Sequence, residues 1–165
     1  MQTDGVEHRR QGTIRLVPLQ QEHAADICTW RYPKPYDCYD MGAATPDELL
    51  RPALNFHAVL LDGGLVGYRS FGVDGQVPGW EYDDAALDTG GGLRPELVGL
   101  GLGRRAISAG LAHGRAVFAP VSFRVTVAAF NRRALKVVGS LGFCRVGEFV
   151  RTDGQAFVVL VRTEM

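Results

Sequence analysis

A mixed α/β fold is what this sequence predicts, and three observations carry it. Strand-like and helix-like apolar periodicities alternate along the chain, Asp-Gly turns join two pairs of strands, and a glycine-rich turn leads from a strand into a helix. With 165 residues, 46% hydrophobic and 22% charged, the chain has the size and composition of one domain with one core.

Ile14, Leu16 and Leu19 alternate with other residues as a first strand does, and the polar QQEHAAD stretch opens a helix running through Ile27 and Trp30. The segment WRYPKPYDCYDM then loses regularity at Pro33 and Pro35 while gathering Trp30, Tyr32, Tyr36 and Tyr39. Two readings stand for it: a loop pinned to the core by its rings, or a lid whose Trp30, Tyr32 and Tyr36 bind substrate. Thr45 as N-cap with Pro46 at the first helical position predicts a second, short helix. HAVLLDGGLVGYRSFGV reads as two antiparallel strands around Asp62, Gly63 and Gly64.

A third strand is expected from about Trp80 to Leu93, weakened by Gly90, Gly91 and Gly92, a pattern that marks a bulge or the close approach of another backbone or a ligand. Ala106, Ile107, Gly110 and Leu111 recur at helical spacing, giving a helix expected to end near Gly114. VSFRVTVA reads as a strand; Ala134, Leu135, Val138 and Leu141 form a helix behind Asn131 that Gly142 closes; the tail is a hairpin around Asp153 and Gly154.

Composition narrows the function. Eighteen basic and eighteen acidic residues cancel, so no long-range field favours nucleic acid or an anionic membrane, and neither is expected as a partner. Cys28, Cys38 and Cys144 lack zinc spacing and disulfide density, which points to buried free thiols in a reducing cytoplasm and to no bound metal. MQTDGVEHRRQG carries no apolar stretch and reads as a disordered arm over residues 1–12, leaving 13–165 as the domain.

The turn RPELVGLGLGRRAI carries the chemistry. At a helix N-terminus, unpaired backbone N–H groups and the positive end of the helix dipole can hold a pyrophosphate where side chains are absent. A P-loop needs Lys followed by Ser or Thr after its last glycine, and Arg104 and Arg105 stand there instead. Gly101, Gly103 and Ala106 match a dinucleotide fingerprint, but that site needs an acidic ribose ligand about twenty residues onward. After Glu96 the next acidic residue is Glu148. An Asp-lined nucleotide site is disfavoured on the same ground.

A coenzyme A site is the third reading. The pattern Q/R-x-x-G-x-G/A falls on Val98, Gly99, Leu100, Gly101, Leu102 and Gly103, preceded by Pro95, and a second pattern, N-x-x-A ending in L-G-F, falls on Asn131, Ala134, Leu141, Gly142 and Phe143. In these motifs and in the order of its elements, the chain resembles the GNAT superfamily of N-acetyltransferases over about residues 13 to 163.

The resemblance implies a mixed, mostly antiparallel, six- to seven-stranded sheet with splayed central strands and helices on both faces. It implies acetyl-CoA as cosubstrate and acetyl transfer to a primary amine of a small molecule or peptide by direct attack in a ternary complex. The backbone of Gly91, Gly92 and Leu93 would pair with the pantetheine arm, and Gly99, Leu100, Gly101, Leu102, Gly103 and Arg104 would hold the pyrophosphate. Asn131 would contact the cofactor, cap its helix, or both. The sequence departs from the family at Val98, where the Gln or Arg is missing, at Val138, where many members carry tyrosine, and at Thr126, where some carry a carboxylate. Asp88, nearest the cleft in sequence among Glu81, Asp83, Asp84 and Asp88, is the candidate base, with a structural Asp as the alternative. The departures leave a second reading, a CoA-binding sensor or inactive partner subunit. A homodimer stays open.

Overall fold

The computed structural model describes residues 12–165. The expected N-terminal arm therefore lies outside the described residues except for Gly12, whose carbonyl accepts a hydrogen bond from Arg105. Seven strands form one sheet: β1 (Ile14–Pro18), β2 (His57–Leu61), β3 (Gly64–Phe71), β4 (Leu87–Leu93), β5 (Ser122–Ala128), β6 (Cys144–Val150) and β7 (Ala156–Thr163), in the order β1-β2-β3-β4-β5-β7-β6. All neighbours run antiparallel except β4 and β5. Those two are parallel and paired only at Leu87 with Phe123 and Asp88 with Arg124, after which they part.

Four helices cover the sheet: α1 (Gln21–Cys28), α2 (Pro46–Leu49), α3 (Leu102–Phe118) and α4 (Arg132–Ser140). Thr45 caps α2 as its sequence predicts, its hydroxyl accepting from Glu48 N at 3.3 Å. Helices α1 and α2 bury Ala24, Ile27 and Leu49 with Trp30, Phe56 and Tyr68. Helices α3 and α4 bury Leu111 and Val138 against Phe123, Val125, Val158 and Leu160. Because side chains alternate along a strand, Tyr68 packs with α1 while its neighbour Arg69 lies under α3.

Two expected boundaries move. Strand β4 begins at Leu87, not near Trp80. The preceding EYDD residues are held by turn and side-chain contacts instead of a ladder: Asp83 Oδ1 accepts from Ala85 N at 3.1 Å and from Arg124 Nη1 at 3.0 Å, and the Tyr82 hydroxyl accepts from Val77 N at 2.9 Å. Helix α3 runs on to Phe118, past Gly114. Gly114 does not end the helix; it lets α3 sit close on the sheet, since a Cβ there would fall 2.7 Å from the Phe123 ring. No helix among the described residues is long and apolar enough to cross a membrane.

Candidate active site

Where β4 and β5 part, the sheet opens into a cavity of about 540 Å³ roofed by the starts of α3 and α4 and flanked by the tyrosine loop. The two strand edges facing it are not paired with each other beyond Asp88 and Arg124. Such edges leave N–H and C=O groups for a ligand's amides to satisfy.

At the mouth, the chain leaves β4 through a 3-10 turn at Pro95–Leu97 and enters α3 with Gly99 at φ 84° and Gly101 at φ 82°. Residues other than glycine rarely adopt that left-handed backbone. Gly101 is the N-cap of α3 with no side-chain cap, so the first N–H groups of the helix are left to face the cavity. Gly99, Gly101, Gly103 and Arg104 line it. Leu102 instead points inward, 1% exposed, and with Leu100 packs against Val59, Leu97 and Ala106. Their side chains hold the loop down while its backbone stays exposed to a ligand.

Gly91, Gly92 and Leu93 line the wall. Gly92 falls in step with the ladder bonds Arg94 N to Val66 O and Gly72 N to Asp88 O, so its N–H and C=O turn to Tyr68 on β3, which corrects its assignment to the cofactor; on the open side the Tyr32 hydroxyl donates to Leu93 O at 2.5 Å. Asn131 also reaches the cavity, and both ends of its amide are used. Oδ1 accepts from Ala134 N at 3.1 Å, capping α4, and Nδ2 donates to the Tyr39 hydroxyl at 3.1 Å.

The aromatic loop divides residue by residue between its two readings. Trp30 is 5% exposed, donates from Nε1 to Asp26 Oδ1 at 3.0 Å, and lies beneath the Arg94 guanidinium. It belongs to the core and does not line the cavity, which corrects its assignment to the substrate. Tyr32 and Tyr36 do line it, joined by Tyr39 and Tyr68. Tyr36 stands edge-on to Phe130 with the Arg133 guanidinium 5.0 Å from its ring centre.

Asp88 also needs correction. It is 3% exposed; Oδ1 accepts from Arg124 Nε at 2.7 Å, and Oδ2 accepts from Arg124 Nη2 at 2.8 Å and Gln76 Nε2 at 3.0 Å. Both oxygens are committed, and the residue does not line the cavity, so it clasps the paired ends of β4 and β5. Val138, 2% exposed, packs in the core while Val137 lines the cavity.

Electrostatically the cavity is one-sided. Arg69, Arg104, Arg133 and Lys136 line it, and no carboxylate does among the described residues. Burial pushes the Tyr32 phenol up to about 12 and also raises Tyr39 and Tyr68, so all three hold their protons at neutral pH. Burial pulls Arg69 down to about 10, which still leaves it charged. Among the described residues no group of His, Cys, Asp and Glu gathers as a metal would require.

Sequence reasoning did not pick out Arg69, Arg133 or Lys136. The signals were a lone charge inside the apolar strand GLVGYRSF and the spacing of Arg133, Lys136 and Val137 along one helical face.

No family model matches the sequence, and no curated protein matches it. Solved structures do. The aminoglycoside acetyltransferase AAC(6')-Ib in complex with coenzyme A and kanamycin is 21% identical over 92% of this chain and 95% of that one, with a TM-score of 0.70. A chimera of spermidine N-acetyltransferase SpeG from Vibrio cholerae and hSSAT is 17% identical over 91% and 95%, TM-score 0.72. The ribosomal-protein-S5-alanine acetyltransferase from Vibrio fischeri is 14% identical over 91% and 92%, TM-score 0.63. The fold is the GNAT fold. Its mostly antiparallel sheet, its parted β4 and β5 and its helices on both faces agree with what the motifs around Gly101 and Asn131 imply.

Proposed function

We propose that residues 13–165 form an acetyl-CoA-dependent N-acetyltransferase that acts on a primary amine. The observation that carries this reading is the parting of β4 and β5 directly below the glycine loop: unpaired strand edges stand beside a helix N-terminus stripped of side chains. The cavity fits the cosubstrate chemically. The backbone N–H groups of Gly99 to Gly103, with the exposed Arg104, Arg133 and Lys136 near them, suit a pyrophosphate, and the open edge of β4 at Gly91, whose backbone groups turn away from β3, suits the amides of pantetheine. The thioester supplies the activated acetyl group. This fold in solved acetyltransferases bound to coenzyme A supports the same assignment.

The chain's own part is positioning and proton supply. A neutral amine nitrogen bonds to the acetyl carbon, the C–S bond breaks, and the amine's extra proton leaves through solvent, since no carboxylate lines the cavity to take it. The departing sulfur needs a proton. Tyr39 is the donor the geometry favours: it lines the cavity, and Asn131 Nδ2 and the Ala128 backbone donate to its oxygen, which leaves its O–H for the sulfur. Solvent then returns the proton to Tyr39.

The acceptor is a small-molecule or peptide amine. Among the fold neighbours are proteins named for aminoglycosides and spermidine. A wall without carboxylates gives this chain no means of gripping such polycations, so a monoamine is favoured. Cys38 and Cys144 are exposed and Cys28 is half-buried, so the thiols are not the buried ones expected, but being unpaired they accord with a reducing, cytoplasmic setting.

Calorimetry tests the reading: acetyl-CoA and CoA should bind, and NAD should not. Gly103 lines the cavity with room for a Cβ, the nearest atom being 3.7 Å away. Gly103→Ala should therefore bind normally while Gly103→Glu loses about a hundredfold or more in affinity, because a carboxylate would face the phosphates. Equal binding by both variants would move the site elsewhere. Tight CoA binding with no thiol release on a broad amine panel would turn the reading towards a CoA-binding sensor.

A further inference from the structure

We propose that Arg69 recognises a carboxylate on a ligand at the inner end of the cavity, so that one of the two substrates is an acid. The acid is either the acyl group of a dicarboxylic thioester or an amine acceptor that is itself an amino acid. This rests on the acyltransferase reading above and deepens it.

The ground is a buried cation without a counter-charge. Arg69 is 7% exposed and lines the cavity, yet no carboxylate meets it among the described residues. Its Nη2 donates to Thr89 Oγ1 at 3.1 Å, and that hydroxyl spends its own proton on Ser70 O at 2.9 Å, so Thr89 offers a lone pair but no charge. Nε has no partner at all. Desolvating a guanidinium without a counter-ion is costly, and an apolar side chain of the same volume would pack there more cheaply.

The backbone is shaped around this side chain. Arg69 stands opposite Gly91 on β4, where a Cβ would fall 2.7 Å from Nη1, and beneath Gly110 on α3, where a Cβ would fall 3.2 Å from Nε. Two glycines on two elements thus keep space for the guanidinium. A planar guanidinium with an unfilled donor and no counter-charge suits a carboxylate or a phosphate.

The pyrophosphate is not that group. Gly110 lies about 10 Å along α3 from Gly103, at a rise of about 1.5 Å per residue. The exposed cations Arg104, Arg133 and Lys136 belong to the mouth, and Arg69 alone of the lining cations is buried. It therefore faces whatever reaches past the phosphates. The transfer itself is unchanged: the C–N bond forms, the C–S bond breaks, and the sulfur leaves as a thiol.

Two arms test the proposal and separate the sources. In the first, malonyl-CoA, succinyl-CoA and acetyl-CoA are compared for binding and turnover. In the second, acetyl-CoA is the donor, and amino acids are compared with the amines left when their carboxylate is removed. At least about a tenfold preference for the acid is expected in one arm of the wild type, falling to parity in Arg69→Met. If Arg69→Met does not fold, Arg69→Lys keeps the charge but loses the fork, and the preference should still drop. No preference in either arm, or one that survives both substitutions, overturns the proposal. Free CoA is the control: if it fails to bind wild type, the acyltransferase reading has failed, and if it binds without an acid preference, only the role of Arg69 has.

Discussion

Arg124 and Arg69 are both buried arginines, they lie on the two strands that flank β4, and they could hardly be treated more differently. Arg124, 4% exposed, closes a fork on Asp88, adds Asp83 Oδ1 at 3.0 Å and Asp83 O at 2.9 Å, and stacks on Tyr82; its hydrogen bonds to Asp88 push its pKa up. Arg69, 7% exposed, meets no carboxylate among the described residues, and burial pulls its pKa down to about 10. They mark the two sides of the point where β4 and β5 part. Asp88 and Arg124 form the last paired position, and Gly91 opposite Arg69 lies in the open stretch. The contrast separates a cation that holds the fold from one that awaits a ligand.

Asp88→Ala should break the comparison most severely, because it strips Arg124 of its buried partner and makes it resemble Arg69 in a place with no ligand to receive. The expected loss is about 3–5 kcal/mol, near 10 °C or more in melting temperature, read by thermal or urea unfolding. Whatever folds at low temperature should keep its turnover. Unchanged stability with lost turnover would instead restore Asp88 as the base.

Val138→Tyr sharpens the line between core and cavity on α4. Many members of the family that the chain resembles carry tyrosine at this position, but Val138 is 2% exposed among Leu111, Phe143 and Leu160. A phenol there overpacks the core by about 1–3 kcal/mol. A faster enzyme of unchanged stability would show that the residue faces the thioester after all.

How much of this was legible beforehand depends on how local the cause is. The hairpin at Asp62, the cap at Thr45 and the glycine loop at 99–103 follow from neighbouring residues and from rules of turn and helix ends, and all three stand where the sequence put them. Gly114 misled because it looks the same whether it ends a helix or lets one pack closely; Phe123 and Phe71, from the sheet beneath, decide. Trp30 misled for a related reason, since Asp26 lies one helical turn before it but Arg94 comes from far along the chain. Asp88 and Arg69 depended on partners 36 and 20 residues away, Arg124 and Thr89, which no spacing rule connects.

The smallest expected effect concerns Tyr39, the proton donor proposed above, which lines the cavity. Tyr39→Phe removes a hydroxyl whose partner, Asn131 Nδ2, faces a cavity that water can fill, so stability should change little. The rate should fall by about tenfold, less than full general-acid help, because a thiolate is a good leaving group even without an acid. The pH profile tells this apart from a packing defect. With no carboxylate lining the cavity, the ascending limb of turnover should follow the acceptor amine's own deprotonation and shift when the amine is changed. Burial raises the Tyr39 pKa, so the acid form is complete at neutral pH and is lost only as pH climbs through the raised value, above the ordinary tyrosine range of about 10. Wild type should therefore keep rising through pH 9 while a primary alkylamine deprotonates, with any descending limb beyond that, and Tyr39→Phe should keep the ascending limb at a lower level and lose the descent. A wild-type ascending limb near pH 4 to 7 that ignores the identity of the amine would reveal a protein base, and the cavity's lack of carboxylates would no longer describe its chemistry.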